Sequence, residues 1–188
     1  MAQTWRMRPP RQPPLPLAAA SLERLAVNYV GRYATSRAKL AAYLARKIAE
    51  RGWEGPAADV VALTARMAEL GYLDDRAFAE ARGRSLARRG YGPRRVETAL
   101  RVAGIDAEDR AAAAPDDEAA VAAATAFARR KGIGPFARAA AERPEREKWL
   151  AALLRAGHSS QIARLIVRLP PADDAEDAIL RAAADLFP

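Results

Sequence analysis

Residues 70–96 read LGYLDDRAFAEARGRSLARRGYGPRRV, and this stretch shows most clearly how the chain folds. Gly71 can end one helix in a left-handed turn, and Asp74 can cap the next helix, which the apolar spacing extends to Arg88. Gly92-Pro93 then begins a further helix, because proline in the first turn has no N–H that the helix would need. The stretch therefore predicts short helices joined by tight turns.

The same alternation of cap, apolar periodicity and glycine extends in both directions from this stretch. Toward the N-terminus the spacing predicts helices from Ser21 to about Ala34, from a cap at Ser36 to Gly52, and from Val60 to Gly71. Toward the C-terminus it predicts helices from Pro93 to Gly104, from Asp106 to about Ala113, from Asp116, from Pro144 to Gly157, and over residues 162–169.

The predicted helices group in threes, so the expected fold is all-α, an elongated array of three tandem three-helix repeats. The repeats are predicted at residues 21–72, 73–114 and 115–170. Residues 1–20, with five prolines and Arg6, Arg8 and Arg11, are predicted to be a disordered basic arm without the apolar run of a secretory signal. Residues 171–188 are predicted to be an acidic tail or a short helix.

Composition limits the function classes. Of the 188 residues, 31 are Lys or Arg and 23 are Asp or Glu, which gives a formal charge of +8 and suggests a polyanionic partner. The chain has no cysteine, which excludes disulfides, thiolate catalysis and cysteine-bound zinc. No apolar run approaches the roughly 20 residues of a membrane span. We therefore expect a cytoplasmic protein without a membrane partner.

The densest positive patch lies where two predicted helices meet at Gly90-Tyr91-Gly92. Seven arginines opposed only by Glu97 fall there, namely Arg82, Arg84, Arg88, Arg89, Arg94, Arg95 and Arg101. We expect them to gather at one corner and engage phosphates or an acidic protein groove, with Tyr91 able to stack on a base. A second basic cluster ends the helix that begins near Asp116 and contains Arg129, Arg130 and Lys131.

Each of these features also has a purely structural interpretation. Arg84 can pair with Glu80 one turn earlier, at about 0.5 kcal/mol, and the other arginines can be solvated surface charges. The second cluster can simply complement the negative end of its helix dipole.

The acidic and aromatic candidates favour structural roles. Capping is the preferred interpretation of Asp74 and Asp75, because no third carboxylate or histidine lies at a metal-binding spacing. His158 is predicted to finish a helix, and Trp53 and Trp149 to pack. No phosphate-binding glycine loop, metal-ligand spacing or nucleophile elbow is present, so we expect neither catalysis nor a cofactor.

The motif residues resemble the signature of a known family. Gly-Tyr-Leu-Asp-Asp at residues 71–75, Phe-Ala at 78–79 and Gly-Tyr-Gly-Pro-Arg-Arg at 90–95 are similar to the RecX family of recombination regulators. The resemblance extends from about Leu22 to Leu169, with Lys39 standing where an acidic residue is expected. Residues expected to serve the architecture are Gly71, Tyr72, Leu73, Asp74, Asp75, Phe78, Gly92 and Pro93, with Tyr72 and Leu73 packing back onto the preceding helix.

The resemblance implies a regulator without enzymatic activity that binds the RecA recombinase filament. Such a protein lies in the filament groove, bridges neighbouring protomers and inhibits filament growth, ATP hydrolysis and strand exchange, in recombination, DNA repair and the SOS response. The implied partners are the RecA filament together with single-stranded and double-stranded DNA, and the chain is expected to be a monomer.

Two rival functions remain open from the residues alone. A sequence-tolerant DNA-binding protein acting without RecA could use residues 92–101 as the recognition helix of a helix-turn-helix. A helical-repeat scaffold could bind an acidic protein unrelated to recombination.

Overall fold

The computed structural model describes residues 15–187, and within them the fold is all-helical, as predicted. A 3-10 helix spans Gly134–Phe136, and the only β-type pairing in this part of the chain is one isolated bridge. Residues 15–187 contain ten α-helices, namely α1 (Ala19–Val30), α2 (Arg37–Arg51), α3 (Val60–Glu69), α4 (Asp75–Arg88), α5 (Pro93–Val102), α6 (Ala107–Ala112), α7 (Asp117–Lys131), α8 (Arg143–Arg155), α9 (Ser160–Arg168) and α10 (Ala175–Ala184).

The described chain forms two compact units. The smaller unit contains residues 15–34 and Lys39–Leu73, and the larger contains Thr35–Ala38 and residues 74–187. The predicted second and third repeats therefore lie in one unit.

The core of the smaller unit is built from α1, α2 and α3 and reaches into the predicted arm. Its fully buried side chains include Leu40, Leu44 and Met67. Leu17 is also fully buried, and its backbone exchanges hydrogen bonds of 3.0 and 2.8 Å with Gly52 and Glu54. The prediction of disorder up to residue 20 is therefore wrong from Leu17 onward, and residues 1–14 lie outside the described part.

The larger unit has two apolar clusters, one in α4–α6 and one in α7–α10. Val96 and Leu100 of α5 are buried in the first cluster against Ala79 and Leu86 of α4. In the second, Leu153 and Ile166 are fully buried, as is Ile179 of α10. The C-terminal segment is thus a helix that shares the core, because its apolar face supplies Ile179.

Side-chain caps explain why α4, α6 and α7 begin where the sequence predicts. The carboxylate of Asp74 accepts a hydrogen bond of 2.8 Å from the Ala77 N–H at the start of α4. Asp106 and Asp116 make equivalent bonds of 2.8 and 2.7 Å, and each satisfies an amide that the helix itself leaves unpaired. The carboxylate of Asp75 accepts a hydrogen bond of 2.9 Å from the Arg37 N–H, which lies in the first turn of α2. Both aspartates of the motif therefore bind backbone amides.

The other residues of the motif differ in how deeply they are buried. Gly71 has a φ of 78° and follows the end of α3, and Leu73 is buried in the core of the smaller unit. Tyr72, in contrast, is 54% exposed and lies outside that core, so its packing onto the preceding helix stays a prediction. Phe78 is half-buried against the α4–α6 cluster.

Replacing Asp74 with alanine tests the assignment of the cap. We expect the free energy of unfolding to fall by about 1 kcal/mol, because an N–H at the start of α4 loses its partner. Urea denaturation followed by circular dichroism measures the change. Asp173→Ala removes the same charge from an exposed position that caps no helix and is expected to leave stability unchanged. An equal effect in the two variants would contradict the capping role.

Candidate basic binding surface

The turn between α4 and α5 holds the aromatic residue of the predicted patch. Gly90, with a φ of 73°, reverses the chain after α4, and the Tyr91 N–H donates to the Leu86 carbonyl at 3.1 Å. Gly92 caps α5 and Pro93 occupies its first turn. These elements fix Tyr91 between two helix ends.

Two arginines lie over the Tyr91 ring. The guanidinium carbons of Arg89 and Arg95 are 5.7 and 5.5 Å from the ring centroid, both within the range of cation–π attraction. Tyr91 is half-buried, while both arginines are exposed. The turn therefore presents an aromatic ring flanked by two positive charges.

A third guanidinium comes from the end of α7. A Cβ placed on Gly90 would lie 2.8 Å from Nη2 of Arg130, so this side chain lies directly against the turn. Its guanidinium carbon is also 5.9 Å from the Phe127 ring centroid. We call Arg89, Tyr91, Arg95 and Arg130 the basic corner.

The turn between α8 and α9 packs against the α4–α5 turn, which carries the basic corner. The Gly92 N–H donates to the Ala156 carbonyl at 2.9 Å, and the Arg94 N–H donates to the Gly157 carbonyl at 3.1 Å. A Cβ on Gly92 would lie 2.4 Å from Gly157 main-chain atoms, so the two turns touch through their backbones. This contact fixes the start of α5 relative to α8 and α9.

His158 lies in the same contact and is fully buried. Its Nε2 is 3.2 Å from the Gly90 carbonyl oxygen, which can only accept, so Nε2 carries the proton. Nδ1 is buried without a hydrogen-bond partner in the described part of the chain. Burial lowers the pKa of His158 to about 4, against the weaker opposing effect of the Gly90 carbonyl, and the ring is therefore neutral at pH 7.

The remaining predicted basic residues are exposed but differ in their partners. Arg84 pairs with Glu80 at 3.5 Å, and Arg129 pairs with Glu176. No carboxylate in residues 15–187 lies within 4 Å of the others, namely Arg82, Arg88, Arg94, Arg101 and Lys131, or of the three arginines of the basic corner.

Not all of the predicted patch meets at the corner. At 1.5 Å per residue, Arg101 is about 12 Å along α5 from Pro93, and Arg82 is about 10 Å along α4 from Arg89. The structure instead adds Arg130 from the second predicted cluster. The contact of Gly157 and His158 with the α4–α5 turn was not predicted from the sequence. The signal that could have indicated a close approach of two backbones was Gly157 next to the only histidine.

Among residues 15–187, no group of three or more His, Asp or Glu side chains is arranged to hold a metal ion. None of the helices in this range combines the length and apolar character needed to cross a bilayer.

Comparison with known proteins identifies the family. The family model described as RecX, second three-helix domain, matches residues 74–113, which include α4, α5 and α6. The regulatory protein RecX of Myxococcus xanthus is 34% identical over 169 residues, covering 85% of this chain and 90% of the relative. This chain belongs to the RecX family.

Two further RecX proteins are similar to this chain. The regulatory protein RecX of Stenotrophomonas maltophilia is 44% identical over 70 residues, covering 37% of this chain and 42% of its own. The crystal structure of RecX from Lactobacillus salivarius has a TM-score of 0.60 at 19% identity and covers 89% of this chain and 97% of its own. The tandem three-helix architecture is therefore the RecX fold, and the curated relatives are named regulatory proteins.

Proposed function

We propose that this protein regulates the RecA recombinase by binding the RecA–DNA filament through the basic corner. The proposal includes inhibition of filament growth, ATP hydrolysis and strand exchange, and thus a role in recombination, DNA repair and the SOS response. The protein acts as a cytoplasmic monomer and catalyses no reaction itself. Membership of the RecX family supports the recombinase as the partner.

The observation that carries the choice of surface is the arrangement of unpaired cations around Tyr91. Arg89, Arg95 and Arg130 are exposed and have no carboxylate of residues 15–187 within 4 Å. Guanidinium groups bind carboxylates and phosphates with paired hydrogen bonds, so an acidic filament groove or a DNA backbone complements them. Elsewhere on α4, Arg76 and Arg84 each lie 3.5 Å from Glu80 and share that carboxylate as an ion-pair partner.

The decisive experiment measures RecA ATPase on single-stranded DNA with increasing amounts of this protein. Inhibition well below one protein per recombinase is expected. The double variant Arg89→Ala/Arg95→Ala is expected to need at least about tenfold more protein for half inhibition, because the loss of even one charge-assisted bond weakens binding by about 1.4 kcal/mol or more. Circular dichroism should show unchanged helix content.

Arg76→Ala/Arg84→Ala is the matched control, because it also removes two exposed arginines from this unit, both of them already paired. It is expected to inhibit like the unmodified chain. Equal inhibition by the two double variants would remove the basic corner from the mechanism.

Direct DNA binding without RecA is the second candidate, and the exposed cations beside Tyr91 favour it. Phosphate contacts predict sequence-tolerant binding that weakens steeply with salt. On duplex DNA, the logarithm of the binding constant falls by about 0.9 per phosphate contact for each unit in the logarithm of the salt concentration. Parallel DNA titrations at several salt concentrations separate the candidates. Tight, salt-sensitive binding with no effect on RecA ATPase would favour the second.

A further inference from the structure

An open groove in the smaller unit contains aromatic and basic side chains that the proposed function does not use. Its volume is about 480 Å³, and it lies between the end of α1 and α2. The side chains that matter here are Asn28, Tyr29, Arg32, Tyr33, Tyr43 and Arg46.

Three tyrosines form a continuous aromatic ladder along this groove. The rings of Tyr29 and Tyr43 stack with centroids 4.2 Å apart and an interplanar angle of 23°. The Tyr33 ring follows at 5.2 Å from Tyr29, tilted by 50°. The ladder ends on Tyr33, which leaves the outer part of that ring open.

Core packing accounts for two of the three rings. Tyr29 and Tyr43 are half-buried and pack against the apolar cluster of the smaller unit. Tyr33 lies outside that cluster and is 57% exposed. Its position beside the stack therefore contributes an exposed aromatic surface and little burial.

The charge around the ladder is positive. Arg32 is exposed, and no carboxylate of residues 15–187 lies within 4 Å of it. The Arg46 guanidinium lies 5.7 Å from the Tyr43 centroid and 3.6 Å from Glu50, the one carboxylate of residues 15–187 within 4 Å of it. Within the described chain, the residues that line the groove include no carboxylate.

We propose that this groove binds single-stranded nucleic acid, with an unpaired base stacked on Tyr33 and the backbone phosphates held by Arg32 and Arg46. Aromatic faces next to guanidinium groups are the arrangement that holds unpaired bases without reading their sequence. An acidic peptide would use the arginines but leave the exposed ring without a stacking partner. The site lies in a different unit from the basic corner and needs no recombinase.

The experiment compares two labelled oligonucleotides, an oligothymidylate of about 12 nucleotides and an abasic strand of equal length, by fluorescence anisotropy. All proteins carry Tyr91→Leu, so that stacking at the basic corner does not contribute. The parent is expected to bind the thymidylate about tenfold more tightly than the abasic strand, the gain of one stacked base. Adding Tyr33→Leu is expected to abolish this preference, whereas Tyr33→Phe retains it.

Tyr72→Leu is the matched control, because Tyr72 is also an exposed tyrosine of the smaller unit, at 54%, and lies outside the groove. It is expected to keep the preference for bases. If Tyr33→Leu keeps the preference too, the proposal is overturned. If polyglutamate displaces the thymidylate as effectively as unlabelled thymidylate does, the groove is assigned to an acidic protein instead, which also overturns the proposal.

Discussion

Replacing Gly92 with alanine is expected to lower the free energy of unfolding by about 3 kcal/mol or more. The new Cβ would lie 2.4 Å from the carbonyl of Gly157 and from the His158 nitrogen, all main-chain atoms that cannot rotate away. Relief requires the two turns to separate, which breaks the hydrogen bonds from Gly92 and Arg94 at about 1 kcal/mol each, in addition to the strain of overpacking. Urea denaturation measures the loss.

The backbone conformation of Gly92 makes this a clean test of the contact. Its φ of −77° and ψ of 169° are open to any residue, so alanine adds a clash and no torsional strain. Gly31→Ala is the matched control, since Gly31 also has an ordinary φ of −67° and its Cβ would meet only the Val27 carbonyl oxygen at 3.3 Å. A loss at Gly92 no larger than at Gly31 would show that the turns do not touch.

Stability is expected to fall by about 3 kcal/mol between pH 7 and pH 4 because of His158 alone. The unfolded chain takes up a proton near pH 6.5, whereas the folded chain, with its pKa at about 4, resists it. In this window the unfolded state binds more protons, so acid favours unfolding. The loss should reach about 2 kcal/mol at pH 5 and end below pH 4, where both states are protonated.

His158 is the only histidine, so the upper part of this window belongs to one side chain. His158→Gln is expected to remove the slope between pH 6.5 and 5, whatever its effect on stability at pH 7, because glutamine does not titrate. Denaturation curves at half-unit pH intervals provide the comparison. A slope that persists in the variant would place the titration on carboxylates instead.

Helix positions were predictable because their causes are local. Caps such as Asp74 and Asp116, proline at position 93 and the apolar spacing each act within one or two turns of the helix they shape. The arm was misjudged for a different reason. Leu17 lies among prolines, and its burial depends on Gly52 and Glu54, some 35 residues away.

The basic corner was only partly predictable, because it depends on contacts distant in sequence. The arginines of the α4–α5 turn were evident from their density, and so was Tyr91. Arg130 joins them through the packing of α7 on α4, and His158 reaches Gly90 across 68 residues. The spacing of apolar residues along a helix does not indicate which turns will contact each other. Only the missing side chains of Gly92 and Gly157 allow it, and a glycine has many other uses.

At the contact between the α4–α5 and α8–α9 turns, main-chain atoms hold the fold together and exposed side chains form the surface. Gly92, Arg94 and Gly157 join through main-chain atoms, so the side chains at positions 94 and 95 remain outside the packed interior. Their charge and size can change by mutation while the scaffold stays the same. Under the proposed function, single substitutions at these positions would therefore change the affinity for the partner and leave the fold unchanged.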